Sequence, residues 1–135
     1  YAVNGGGGTN HRMGLHDAIL IKDNHVKLTG GVGDAILRLK VQDPRLNKIE
    51  IEVRTITQVK QAIEAGVGRI LLDNMRIKIL RQAVKLGKKA KIKTEASGGI
   101  NLQNVRAIAR TGVDYISVGA LTHSAPALDI SLKVV

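Results

Sequence analysis

Apolar residues recur along this chain in two rhythms. Short runs read as strands: Ala18–Lys22 (AILIK), Lys48–Val53 (KIEIEV), Arg69–Leu72 (RILL), Lys91–Glu95 and Tyr115–Val118. KIEIEV alternates strictly, with Ile49, Ile51 and Val53 on one face and Glu50 and Glu52 on the other. Between the runs, apolar positions adopt helical spacing. Gly33–Lys40 carries Ala35, Ile36, Leu37 and Leu39, and Asp43-Pro44 then marks a loop. Thr55 and Thr57 are both candidate caps for a helix that carries Val59, Ala62 and Ile63 and stops near Gly66. Met75–Leu86 is amphipathic and is expected to end at Gly87. Leu102–Arg110 is predicted as a helix capped by Asn101, and a last segment runs from Ser124 towards Val135.

Strand and helix thus alternate about five times, the signature of βα units with parallel strands. Right-handed crossovers stack the helices on one side of the sheet. Continued far enough, such a sheet closes into a barrel of the triosephosphate-isomerase type, but five units fall short of eight. The expected fold is therefore α/β: an incomplete, open parallel β/α barrel, with residues 1–135 as one domain.

Composition narrows the core and the ligand. At 44% hydrophobic content the chain can bury a core, and with Phe and Trp absent that core must consist of Ile, Leu, Val and Ala. The net charge of +10 suits either a solvated basic surface or a site for anions such as phosphates and carboxylates. Nucleic acid is disfavoured, because the basic residues lack aromatic partners for base stacking. The absence of cysteine excludes a disulfide framework and suits a reducing compartment, so a cytoplasmic location is expected. No apolar run approaches the roughly 20 residues of a membrane span, and no signal peptide is visible. The chain starts at Tyr1 rather than Met, and is read as a piece of something longer.

Ligands of parallel barrels bind at the carboxyl ends of the strands. Here the ends carry, in order, Lys22-Asp23-Asn24-His25; Glu52; Asp73-Asn74; Glu95 followed by Ser97-Gly98-Gly99; and Gly119 followed by Thr122 and His123. Polar or glycine residues at all five ends point to a site. SGGI and VGALTHS suit phosphate, since glycine lets backbone N–H groups approach an anion and a helix N-terminus attracts one. Either could also be an ordinary βα turn. Glu52 and Asp73 end neighbouring strands and suit Mg²⁺ with a diphosphate, or a developing positive charge on a sugar. A solvent-facing Glu52 is the plain alternative. His11, Arg12 and Lys22 supply positive charge opposite, and the glycines Gly5–Gly8 beside them leave room for a planar dianion. His16 reads as a surface residue. His25 is open between site and structural hydrogen bonding.

Together the stretches YAVNGGGGTNHRMGLHDAILIKDNH, KIEIEV, RILLDNM, EASGGINLQNV and TGVDYISVGALTHSAPALDISLK closely resemble the C-terminal part of the quinolinate phosphoribosyltransferase family. The resemblance covers nearly the whole chain. It implies a partial (β/α) barrel that in the family follows an N-terminal α/β sandwich domain. It implies transfer of phosphoribose from phosphoribosyl pyrophosphate to quinolinate, with loss of CO₂, giving nicotinate mononucleotide and pyrophosphate for NAD biosynthesis. It assigns His11, Arg12 and Lys22 to the quinolinate carboxylates, Glu52 and Asp73 to the ribose and Mg²⁺, and Ser97, Gly98, Gly119 and His123 to the 5′-phosphate. Gly99 joins that phosphate group by its place in the glycine turn. Lys22, Glu52 and Asp73 are the expected catalytic residues, and a homodimer or higher homo-oligomer is expected.

The departures from the family set further expectations. Neither the sandwich domain nor the basic Thr-Arg-Lys strand that precedes this region in the family lies in the sequence. The quinolinate half of the site is therefore short of cations, and the isolated chain is expected to be inactive. The alternatives are a barrel fragment that only binds phosphate, or a related phosphoribosyltransferase acting on another aromatic acid or base.

Overall fold

A computed structural model describes residues 1–14, 17–42 and 49–134. Five parallel strands form one sheet in the order β1-β2-β3-β4-β5: β1 Ile19–Ile21, β2 Ile49–Val53, β3 Arg69–Asp73, β4 Lys93–Ser97 and β5 Tyr115–Ile116. Helices occupy the connections: α2 Asp23–Thr29, α3 Val32–Gln42, α4 Ile56–Ala65, α5 Ile77–Ala90, α6 Val105–Ala109 and α7 Ala120–His123, with a short α1 at Ala2–Gly5. Sequence neighbours pair in space and each crossover is helical, so this is the open parallel β/α architecture expected. β1 and β5 are its two edges.

The pleat sorts the chemistry. Ile49, Ile51 and Val53 of β2, Ile70 and Leu72 of β3, and Ala96 of β4 pack with Val59, Ala62, Leu80, Ala83 and Val84 of the helices. That layer is aliphatic and almost fully buried. The alternate residues of the same strands, among them Glu50, Glu52, Arg69, Asp73, Glu95 and Ser97, face the other way. Because one face must bury hydrocarbon, register is firmly set, and every charged strand residue is delivered to the concave side.

Local rules explain most boundaries. Thr55 caps α4 by accepting from Gln58 N at 3.2 Å, while Gln58 Oε1 accepts from Thr55 N at 3.2 Å, a reciprocal capping box. Thr57, the other candidate, lies inside the helix. Gly66 ends α4 in the left-handed conformation, φ 72°. Four expectations need correction. α5 does not stop at Gly87 but runs on to Ala90, with Lys91 taking the left-handed position at φ 58°. Gly87 is a packing residue instead: an added Cβ would lie 2.6 Å from Thr94 Cγ2. In consequence β4 is Lys93–Ser97, two residues later than read, and Glu95 is mid-strand rather than a strand end. The helix placed at Leu102–Arg110 is only Val105–Ala109. Asn101 heads the preceding turn, its Oδ1 accepting from Gln103 N and Asn104 N at 3.0 and 3.2 Å. Finally, β5 shrinks to Tyr115–Ile116, and α2, absent from the pattern reading, begins directly after Lys22. Lys48, His16 and the Asp43-Pro44 loop lie outside the described residues.

Candidate active site

At the carboxyl edge of the sheet, β2 and β3 bring Glu52 and Asp73 together around one cation, Arg54. Its Nη2 donates to Glu52 Oε1 at 3.2 Å and its Nε to Asp73 Oδ2 at 3.0 Å, while Nη1 lies 3.5 Å from Asp23 Oδ2. The other oxygen of Asp73 accepts from Ser97 Oγ at 3.0 Å across the β3–β4 register pair. Asn74, at φ 51°, donates its side-chain amide to Asp73 Oδ2 at 3.0 Å. Burial raises the pKa of Glu52. The nearby charges of Asp73 and Asp23 raise it further, with Arg54 and Lys22 opposing. Three carboxylates thus share one guanidinium, with Lys27 Nζ also 3.6 Å from Asp23 Oδ2, in an oxygen-rich rim at the sheet edge.

A second charged group lies deeper on the concave face. His11 Nε2 is 3.2 Å from Glu50 Oε2 and 3.5 Å from Glu95 Oε1. Glu95 Oε2 accepts from Arg69 Nη1 at 2.9 Å, and its Oε1 accepts from Ser117 Oγ. Arg69 also stacks over the Tyr115 ring, 4.3 Å from guanidinium carbon to centroid. The pKa of Glu50 is raised, first by burial and then by the adjacent Glu95 carboxylate. A cavity of about 1010 Å³ opens over this group and extends to Arg12, Lys93, Asp114 and Gly119. The cavity does not reach Glu52, Asp73 or Ser97, so this hollow and the acidic rim are separate features. A recess of about 100 Å³, bounded by Asp23, Glu52 and Arg54, touches the rim. The rim's side chains converge at the strand ends, whereas the hollow lies over the concave side of an open sheet.

The phosphate candidates fall into two loops. Gly98 and Gly99 both have positive φ, 90° and 59°, and follow Ser97 directly. A Cβ at Gly98 would overlap the Asn74 amide, so this glycine permits close packing of the β3 and β4 loops. The Asn101–Asn104 turn separates SGGI from α6, so no helix N-terminus abuts the glycines. In the second loop, α7 has four residues, and His123 folds back until Nε2 would lie 3.4 Å from a Cβ at Gly119. Gly119 and His123 are therefore neighbours. Among the cations, Lys22 is exposed at the head of α2. Arg12 Nη1 donates to the Ala18 carbonyl at 3.2 Å. His25 is structural: its Nδ1 accepts from Lys22 N at 3.0 Å in the first turn of α2.

Comparison with known proteins fixes the kinship. The family model described as quinolinate phosphoribosyl transferase, C-terminal domain, matches residues 1–133. The chain belongs to the quinolinate phosphoribosyltransferase family. A Bacillus subtilis relative, named a probable nicotinate-nucleotide pyrophosphorylase (carboxylating), is 47% identical over 134 residues, covering 99% of this chain and 46% of that protein. The chloroplastic nicotinate-nucleotide pyrophosphorylase of Arabidopsis thaliana is 42% identical, covering 99% of the chain and 43% of the relative. Among solved structures, the Francisella tularensis nicotinate-nucleotide pyrophosphorylase superposes with a TM-score of 0.87 at 42% identity, over 97% of this chain and 46% of that one. A thiamine phosphate pyrophosphorylase from Pyrococcus furiosus, at 24% identity and a TM-score of 0.57, shares the fold alone. The chain spans about half the length of the relatives it matches.

Sequence reading of this family member missed three residues of the charged clusters. Arg54 follows the KIEIEV strand directly, and the signal for it was its place two residues beyond the last strand carboxylate, Glu52. Arg69 shares its strand face with Asp73 by the period of two, which the alternation rule reveals once the strand is extended by one residue. Glu50 was correctly put on the face of Glu52, but a charged residue buried to 5% exposure has no signature in sequence.

Proposed function

We propose that the protein to which this chain belongs transfers phosphoribose from phosphoribosyl pyrophosphate to quinolinate with decarboxylation, giving nicotinate mononucleotide, pyrophosphate and CO₂. The observation that carries this reading is the convergence of Glu52 and Asp73 beside the Ser97-Gly98-Gly99 turn, in a chain of this family. Residues 1–135 act in it as one catalytic barrel domain. Ser97, Gly98, Gly99, Gly119 and His123 hold the 5′-phosphate. Glu52 and Asp73 face the ribose and stabilise the oxocarbenium-like charge at C1 as the pyridine nitrogen approaches. His11, Arg12 and Lys22 receive the two carboxylates, and the resulting pyridinium ring is the electron sink for loss of CO₂.

Mg²⁺ fits the rim. Glu52 and Asp73 are oxygen donors on adjacent strands, and a hard cation that keeps several waters suits two carboxylates at a solvent edge. Bound there, Mg²⁺ supplies positive charge to the departing pyrophosphate. Arg54 already spans the same two carboxylates, so it must yield one of them or share it.

The partner expectation is supported by the tail after α7, where Leu128, Ile130, Leu132 and Val134 alternate and are each more than four-fifths exposed. Such a segment suits pairing with the remainder of a longer chain or a second copy, in line with a homo-oligomer. No helix among the described residues is long and apolar enough to cross a membrane. The cytoplasmic expectation stands on the lack of cysteine alone.

The second reading, a barrel unit that binds phosphate but needs the rest of the protein to react, is favoured by the open sheet and its unfilled concave side. One experiment separates the two. Full-length protein and the 135-residue chain are each given phosphoribosyl pyrophosphate, Mg²⁺ and a panel of aromatic acids and bases, and products are resolved by chromatography. Nicotinate mononucleotide from the full-length protein alone is expected. A different preferred acceptor would replace quinolinate in the reading, and no transfer by the full-length protein would overturn it.

A further inference from the structure

We propose that His11, Glu50 and Glu95 form a divalent-cation site of the zinc type on the concave face of the sheet, separate from the acidic rim. Three observations carry it. The first is spacing. One ligand atom from each residue lies within 4.8 Å of the other two. His11 Nε2 stands 3.2 Å from Glu50 Oε2 and 3.5 Å from Glu95 Oε1. Ligand atoms bound tetrahedrally at about 2.0–2.1 Å sit about 3.3 Å apart, so these two edges already match the coordination shell of Zn²⁺. The second is an orphan. Glu50 is 5% exposed, and its Oε1 is the buried side-chain oxygen without a hydrogen-bond partner among the described residues. A cation chelated by both Glu50 oxygens would give Oε1 the partner it lacks.

The third observation is the surrounding shell. Glu95 is held on one oxygen by Arg69 and on the other by Ser117, so its orientation is fixed from outside the cluster. One imidazole nitrogen with two carboxylates is a donor set that suits Zn²⁺ and disfavours Mg²⁺, which prefers oxygen and water. The roughly 1010 Å³ hollow lined by all three residues gives the ion a route in and leaves its fourth position to water. The inference does not rest on the phosphoribosyl-transfer reading, although the two compete for one side chain. Both use His11, so zinc and quinolinate binding are measured separately.

The test is calorimetric titration of chelator-treated full-length protein with Zn²⁺, repeated with Mg²⁺. One equivalent of Zn²⁺ is expected to bind and to raise Tm, with Mg²⁺ at least tenfold weaker at this site. Glu50→Gln keeps the shape of the side chain and should weaken Zn²⁺ binding by tenfold or more. His11→Ala, at a half-exposed position that does not depend on the core, should do the same if Glu50→Gln fails to fold. His25→Ala removes a surface imidazole outside the cluster and should leave binding unchanged. Absence of a stoichiometric Zn²⁺ site would overturn the proposal. So would equal affinity in the wild type, Glu50→Gln and His11→Ala, or a loss of binding in His25→Ala.

Discussion

The rim gathers Glu52 and Asp73 from the neighbouring strands β2 and β3, and the concave interior gathers Glu50 and Glu95 from β2 and β4 on either side of β3, each beside one arginine, yet they are built to opposite ends. At the rim, Arg54 is about half exposed and reaches three carboxylates, and both oxygens of Asp73 are engaged. In the interior, Arg69 donates to Glu95 and lies opposite Glu50 in the β2–β3 register, and Glu50 keeps one buried oxygen unpartnered among the described residues. Burial raises the pKa of Glu52 at the rim as it does that of Glu50 in the interior, but among the described residues it is the interior that leaves a buried carboxylate oxygen without a hydrogen-bond partner. The rim can therefore hold a labile ligand, while the interior calls for a permanent cation.

The largest expected effect tests whether the rim is the reactive one. In the full-length protein, Asp73→Asn should lower kcat/KM about 10²-fold or more, the scale of losing one preorganised transition-state contact. Tm should move little, because Asn still accepts from Ser97. Turnover near normal would make the rim structural and shift attention to the interior. Next comes the phosphate loop. Gly98→Val, the obvious probe, is confounded, since any Cβ there displaces Asn74. Gly119 has an ordinary φ of −61°, and a Cβ would meet only His123. Gly119→Ala should therefore weaken ribose-5-phosphate binding about tenfold without unfolding the protein, equivalent to about 1.4 kcal/mol. Unchanged affinity would remove this loop from the phosphate site.

The same contrast explains what sequence revealed. The rim was legible because strand ends are marked by simple signals: alternation in KIEIEV, polar residues after apolar runs, and Gly98-Gly99. The aliphatic layer was legible from the same period, and Thr55 and Gly66 announced α4. The interior was not. Gly87 looks like a helix stop, yet it is a contact with Thr94, and misreading it moved β4 by two residues and turned a mid-strand Glu95 into a strand end. Arg54 and Arg69 resemble solvated surface arginines until register sets Arg69 opposite Glu50 and the strand ends bring Arg54 to Asp73. Pairing across strands is non-local, and no local pattern encodes which oxygen lacks a partner.

Asp114 is the control for the interior, an acid at the far end of the same hollow whose needs are met. Its oxygens accept from Lys93 Nζ at 2.9 Å and from Thr94 N and Oγ1 at 2.9 and 3.0 Å. Burial alone would raise its pKa, but these donors outweigh it and hold it below the ordinary 3.8. The sign follows: a depressed carboxylate contributes stability that is present above pH 3.8 and lost as pH falls through its lowered value. Asp114→Ala should cost about 1 kcal/mol near neutral pH, chiefly by leaving the buried Thr94 hydroxyl without this partner. Denaturant titrations should show that gap narrowing below pH 3.8. A gap that is constant with pH would show the aspartate acting by packing rather than by charge.

The smallest effect bears most directly on the interior. In chelator-treated protein, Glu50→Gln removes a buried negative charge that faces Glu95, a repulsion that Arg69 and the partly exposed His11 oppose. Gln keeps an acceptor for His11 and adds an amide donor towards the neighbouring carboxylate. Stability should therefore rise by about 0.5 kcal/mol, a change opposite in sign to that of most buried substitutions. Removing Arg54 with Arg54→Ala should lower stability instead, because Glu52 and Asp73 lose the guanidinium they share and only Lys22 and Lys27 remain to offset the rim's carboxylates. Adding Zn²⁺ should reverse the interior result, making the wild type the more stable of the pair, since bound ligand stabilises only the form that holds it. If Glu50→Gln is destabilising with the metal removed, Glu50 already has adequate company without a cation, and the difference drawn between the two clusters fails.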